Sequence, residues 1–147
     1  MEIEKLLTSD RISFDLKGGN KEEVIDELIE LLCKDGAVTN KKDFKLAVMK
    51  REEQFSTGIG HGIGIPHGKS DAVSTASIAF GISKNGVDFD SMDGEPAHLI
   101  FLIAVPEKSD DIHLKILSYI SRRLMHEEVR DRLKEAKTYN QILEAFK

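Results

Sequence analysis

The chain has 147 residues, of which 40% are hydrophobic and 32% charged, with a net charge of -5. At this length one domain buries roughly 70% of its unfolded surface, enough for a real core. No long apolar run, signal-peptide pattern or low-complexity tract is present. A soluble protein without a C-terminal membrane anchor is therefore expected. Lysines are interspersed with glutamates rather than gathered in a basic stripe, which argues against nucleic acid as a partner. The single cysteine, Cys33, excludes an internal disulfide and any CxxC metal site, and suits a reducing, cytoplasmic setting.

In chain order, MEIEKLL reads as a short helix or arm, and Ile12, Phe14 and Leu16 alternate with polar residues as a strand does. Asn20 is an N-cap with Glu23 three residues on; Val24, Ile25, Leu28, Leu31 and Leu32 form the apolar stripe of a helix that ends before Gly36. Cys33 adjoins that stripe and reads as a small buried residue, with a reactive thiol as the alternative. A second helix starts at the Asn40 cap, runs through Phe44, Leu46, Ala47 and Met49 to about Glu53, and delivers Arg51 in its last turn. Ala76 to Ile82 and Gly86 to Phe89 read as two strands of a hairpin turning at Lys84-Asn85-Gly86. His98 to Val105 is nearly continuous in apolar residues, as a central strand covered on both faces is. Pro106 stops it, Ser109 can cap, and Ile112, Ile116, Leu117, Ile120 and Leu124 form the buried face of a long helix. Two short helices follow, Glu127 to Lys137 and Tyr139 to Phe146, the latter with Thr138 and Gln141 as a capping box. This interleaving predicts one α/β domain over residues 1–147, with a mixed, mostly parallel sheet of about five strands and helices on both faces.

Between the second helix and the hairpin lies Thr57-Gly58-Ile59-Gly60-His61-Gly62-Ile63-Gly64-Ile65-Pro66-His67-Gly68, which holds five of the 11 glycines. Glycine permits close backbone approach, and Pro66 fixes its own φ while extending Ile65, so His67 is rigidly aimed and sterically uncrowded. Imidazole serves as acid, base, metal ligand or nucleophile near neutral pH. Gly68-Lys69-Ser70 is not a P-loop, because position 63 is isoleucine, and the glycines do not fit G-x-G-x-x-G. The other histidines are 61, 98, 113 and 126. On an extended segment His61 and His67 stand about 20 Å apart at ~3.3 Å per residue, and no HExxH pair occurs, so a metal site would rest on tertiary proximity alone.

His67 and His113 both fall near strand ends, where ligand chemistry gathers in open α/β sheets. Either His113 faces His67 there or it packs above Leu117 and Ile120. Asp110 and Asp111 stabilise the N-terminus of that helix. His98 and His126 read as structural or solvated.

Arg51-Glu52-Glu53, Thr57-Gly58-Ile59-Gly60, Gly62-Ile63 and Ile65-Pro66-His67-Gly68 closely resemble the active-site signature of EIIA domains. These are the fructose/mannitol-type phosphocarriers of the bacterial phosphoenolpyruvate-dependent sugar phosphotransferase system. Gly86-Val87-Asp88-Phe89, Asp93-Gly94-Glu95-Pro96-Ala97-His98-Leu99 and the His113-Leu114 helix resemble the fructose branch in the expected order, so nearly all of the chain is covered. Gly64 departs from the alanine common in the family, a loss of one methyl group that should leave the site working.

The resemblance implies that His67 is the phosphorylated residue, with Arg51 and His113 beside it. It implies phospho-HPr as donor and a cysteine of an EIIB domain as acceptor, with the sugar held by a membrane EIIC component that never meets this domain. No cofactor or metal is implied. At a reference pKa of ~6.5 about three quarters of an imidazole is neutral at pH 7, as a nucleophile must be. Arg51 can hold two phosphoryl oxygens in its planar fork. His113 can bond to the phosphoryl oxygens or orient His67. Thr57 can donate to phosphate or to the His67 ring, or merely cap a turn. Ile59 and Ile63 are candidates for a docking surface, and the glycines for clearance between the imidazole and two successive partners. A regulatory, nitrogen-type EIIA and a histidine-liganded metalloenzyme are the competing readings.

Overall fold

The structure, a computed structural model, describes residues 2–109 and 111–147. Its centre is β6 (Ala97–Pro106), in which Leu99 to Val105 are all buried. Leu99, Phe101, Ile103 and Val105 point into one apolar layer, and Ile100, Leu102 and Ala104 into the other. That period of two within a continuous apolar run is what a strand covered on both faces requires.

The sheet has six strands: β1 (Ile12–Ser13), β2 (Gly58–Gly60), β3 (Ile63–Gly64), β4 (His67–Ser70), β5 (Ser77–Val87) and β6. Their order is β1-β5-β6-β3-β2, with β4 also on β6, so one edge of β6 carries β3 at Leu99–Ile100 and β4 at Ile103–Pro106 in succession. The β1/β5, β3/β6 and β4/β6 pairs are parallel, and β2/β3 and β5/β6 are antiparallel. The expected mixed, mostly parallel α/β sheet is therefore observed, with six strands in place of about five.

Helices cover both faces. On one lie α2 (Lys21–Lys34) and α3 (Lys41–Gln54), capped by the Asn20 and Asn40 side chains, which accept from Glu23 N at 2.9 Å and Asp43 N at 3.1 Å. On the other lie α1 (Ile3–Leu6), α4 (Ile112–Leu124), α5 (Glu127–Glu135) and α6 (Tyr139–Ala145). Phe101 stacks on Phe80 at 4.4 Å between ring centroids and meets the edge of Phe146 at 5.8 Å, joining the sheet to the C-terminal segment. Thr138 accepts from Gln141 N at 3.2 Å, as the capping box predicts. No helix among the described residues is long and apolar enough to cross a membrane.

Three local expectations are corrected. The proposed hairpin at Lys84-Asn85-Gly86 is an irregularity inside one strand, β5: Ser83 Oγ accepts from Gly86 N at 3.2 Å, Gly86 takes φ +83°, and pairing with β6 resumes at Val87↔Ala97. The chain reverses later, between Val87 and Ala97, and Phe89 is a buried residue of that connection rather than of a strand. Ser109 does not cap α4; its hydroxyl donates to Pro106 O at 2.6 Å, and Asp111 occupies the cap position without a side-chain bond. Asp110, assigned to the same helix start, lies outside the described residues.

Candidate phosphoryl-transfer site

The glycine-rich segment is a tight hairpin, β2–β3, with Gly60, His61 and Gly62 at φ +89°, +57° and +78°. Three successive left-handed residues reverse the chain at once, and glycine at two of them avoids most of the steric cost. Asp93 clamps the tip by accepting from His61 N at 2.9 Å. Ile65 N donates to Thr57 O at 3.0 Å, closing the hairpin mouth, and the chain then enters β4 at His67, opposite Ile103 of β6.

His67 is half-buried, and its Nδ1 bonds to Ile65 O at 2.9 Å. A carbonyl can only accept, so Nδ1 carries the proton and Nε2 keeps its lone pair. Burial lowers the imidazole pKa below its usual 6.5; the Ile65 bond opposes this, the Arg51 charge reinforces it, as His113 does when protonated, and the Glu52 charge opposes it. The net shift favours the neutral ring.

Arg51, from the last turn of α3, donates one N–H to Phe55 O at 3.0 Å, which satisfies a carbonyl at the helix end and leaves the rest of the guanidinium for the site. His113 comes from the first turn of α4. Its Nδ1 is buried without a partner among the described residues, and with the proton on Nε2 that nitrogen is the one able to donate. His67, Arg51 and His113 line both a cleft of about 220 Å³ and one of about 450 Å³. The sequence left open whether His113 faces His67 or packs elsewhere; it shares the site.

Thr57 lines the larger cleft, but its hydroxyl donates to Glu52 and its N–H to the same carboxylate at 2.9 Å. Its one hydroxyl proton is thus committed, and the expectation of donation to His67 or phosphate is corrected. Ile59 is 45% exposed at the larger cleft, as a docking residue would be, whereas Ile63 is core. At three of the glycines the space a side chain would need is taken by the chain itself. A Cβ at Gly64 would lie 2.9 Å from the Phe89 ring, at Gly68 2.8 Å from Val48, and at Gly58 2.9 Å from Phe89 O. They admit the chain's own packing, including the close approach of α3 to β4. Gly64 is accordingly more than a missing methyl group, because Phe89 fills the space.

Lys69 belongs to the Gly68-Lys69-Ser70 run that is not a P-loop, and the sequence assigns it no role. It stands two residues beyond His67, on the outward face of β4, and lines the smaller cleft. Period-two alternation from His67 was the available signal. His61 and His98 belong to a different cleft, His98 Nδ1 is bonded to Ser83 O at 2.8 Å, and His126 is an exposed N-cap, so none joins His67.

The fold is an open α/β sheet that brings one imidazole, an arginine and a second histidine to the same clefts. Residues 5–147 match the family "Phosphoenolpyruvate-dependent sugar phosphotransferase system, EIIA 2", and the chain belongs to that family as a component of such a system. It is 46% identical over 144 residues to the fructose-specific EIIABC component of Bacillus subtilis, covering 98% of this chain and 23% of that one. It is 43% identical over 137 residues to the fructose-specific EIIA component of Haloferax volcanii, covering 93% and 89%. Among solved structures, nitrogen regulatory protein IIA-Ntr of Neisseria meningitidis superposes with a TM-score of 0.91 at 29% identity, covering 100% of both chains. Enzyme IIAMTL of Escherichia coli, solved in complex with phosphorylated enzyme IIBMTL, gives 0.82 at 26% identity, covering 96% and 98%.

Proposed function

We propose that the chain is the phosphocarrier of a sugar-uptake system, in which His67 accepts a phosphoryl group from phospho-HPr and passes it to a cysteine of an EIIB domain. The observation that carries this reading is the His67 ring itself, with Nδ1–H tied to Ile65 O and Nε2 without a hydrogen-bond partner among the described residues, at a cleft. The Nε2 lone pair attacks phosphorus as the P–N bond to the HPr histidine breaks. Because the Nδ1 proton stays on the ring, the phosphorylated imidazole is cationic, and the Ile65 carbonyl stabilises that charge. The same protonation makes it a good leaving group when the EIIB thiolate attacks phosphorus and the P–N bond breaks in turn. Both displacements pass through a loose transition state, so the protein supplies position and charge. Arg51 forks two phosphoryl oxygens, His113 Nε2–H donates to a third, and Lys69 adds a positive charge.

The fructose-specific relatives support uptake with fructose or a similar sugar as cargo, bound by a membrane EIIC component and phosphorylated downstream. The solved enzyme IIAMTL–IIBMTL complex supports an EIIB partner. A second reading, control of other proteins by phosphorylation state, draws on the fold shared with IIA-Ntr at 29% identity. The higher identity to the fructose relatives favours uptake. In a reconstituted chain of phosphoenolpyruvate, enzyme I and HPr, His67→Ala is expected to abolish labelling of the EIIB cysteine. Undiminished transfer would end the proposal, and a protein that is phosphorylated yet passes nothing to any EIIB favours the regulatory reading.

A further inference from the structure

Arg51 and Glu52 are neighbours in the signature, yet only the arginine is used by the chemistry above. The Glu52 side chain is 3% exposed. A carboxylate so far from water persists only when paired and hydrogen-bonded, and Glu52 is both. Its Oε2 accepts from Lys21 Nζ at 2.9 Å and from Thr57 N–H at 2.9 Å, and its Oε1 accepts from the Thr57 hydroxyl. Lys21, at the start of α2, is itself 16% exposed and stands 5.0 Å over the Phe89 ring that closes on Gly64.

From Thr57 the hydrogen bonds continue inward. The Thr57 carbonyl accepts from Ile65 N–H at 3.0 Å, and the Ile65 carbonyl accepts from His67 Nδ1 at 2.9 Å. An unbroken series therefore runs from the Lys21 ammonium through Glu52, Thr57 and Ile65 to the reacting ring. Each link fixes the peptide that orients the next.

We infer that Glu52 is a positioning residue for His67: its buried carboxylate pins Thr57, and through the Thr57 and Ile65 carbonyls it sets the tautomer and plane of the imidazole. The inference rests on His67 being the phosphoryl acceptor. Lys21 neutralises the carboxylate, so the negative charge is tolerated near a site built for an anion. The charged and titratable groups facing His67 are then Arg51, His113 and Lys69 at the clefts, with Glu52 behind the hairpin.

The test is Glu52→Gln in the full chain, with Glu52→Asp as the conservative variant and Thr57→Val as a milder one that deletes only the hydroxyl link. Phosphorylation by phospho-HPr is expected to fall roughly tenfold in kcat with KM within twofold, since small misplacements of a reacting group cost rate rather than binding. Nitrogen NMR of His67 in the unphosphorylated protein is expected to show loss of the Nδ1–H tautomer, with Asp restoring part of both signals. If Glu52→Gln does not fold, Thr57→Val carries the same two readouts with smaller changes. A folded variant with unchanged tautomer overturns the inference whether or not its rate falls, because a rate loss alone is what general destabilisation gives. The tautomer measurement needs no phosphoryl donor, so wild-type protein that takes no label on His67 refutes the proposed function separately.

Discussion

Two clefts of this domain carry a histidine fixed in the same way. His67 Nδ1 bonds to Ile65 O at 2.9 Å, and His98 Nδ1 bonds to Ser83 O at 2.8 Å, so each ring presents Nε2. Each also has basic neighbours, Arg51, Lys69 and His113 around the first, and Arg130, Lys134 and His61 around the second. They differ in acids. Among the described residues no carboxylate lines either cleft at His67, whereas Glu95, Glu127 and Asp131 line the 330 Å³ cleft at His98. A phosphoryl group carries nearly two negative charges at neutral pH, so the first environment stabilises it and the second repels much of what its cations attract. A tautomer-fixed imidazole is therefore insufficient; among the described residues carboxylates line the cleft at His98 and not those at His67, and this contrast favours His67 over His98 as the proposed phosphoryl acceptor.

Substitution in pairs breaks or sharpens this contrast. His67→Ala should reduce phosphoryl uptake by on the order of 10³-fold or more, the consequence of removing a nucleophile, whereas His98→Ala should leave it within about twofold; acid-labile labelling by phospho-HPr measures both. Arg51→Ala should cost roughly 10²-fold or more, as loss of a guanidinium on a transferring phosphoryl does, while Arg130→Ala changes nothing beyond stability. His113→Ala removes one charge-assisted bond, and a loss of about tenfold is expected from its usual strength.

The pH dependence follows from the neutral ring. Folding lowers the His67 pKa, chiefly by burial, so below the unfolded value of about 6.5 the unfolded chain binds more protons than the native one. The stability this gives is whole above that pH and is lost as pH falls toward the lower folded value. Denaturant melts from pH 7.5 to 5 should show a shallower acid decline for His67→Gln than for wild type, and the acid limb of transfer should have its midpoint below about 6.5. The smallest effect concerns packing. Gly64→Ala, a return to the residue common in the family, should cost about 1–3 kcal/mol here, because the new methyl meets the buried Phe89 ring. Thermal melts check it, and Phe89→Leu should recover part of the loss.

Much of the frame was legible. α2 follows from an N-cap and a 3.6-residue stripe, and β6 from an apolar run too long to be covered on one face only. His67, Arg51 and His113 line the same clefts; the pattern delimits the helices that carry Arg51 and His113, but not the strand that His67 begins. What escaped depended on partners distant in sequence. Glu52 stands in the signature without a role of its own until Lys21, thirty-one residues earlier, is placed against it. Gly64 reads as a dispensable methyl until Phe89 is folded onto it. Lys84-Asn85-Gly86 has turn composition, but the ladder to β6 resumes at Val87 and the strand carries the irregularity through.

The central claim is that one nitrogen, His67 Nε2, carries the phosphoryl group. Phosphorus–nitrogen NMR of the protein labelled in its histidines and phosphorylated through phosphoenolpyruvate, enzyme I and HPr tests it directly. Coupling of phosphorus to Nε2 of His67, with Nδ1 still protonated, is the expected result. Phosphorus on His113, or on Nδ1 of His67, would contradict the account.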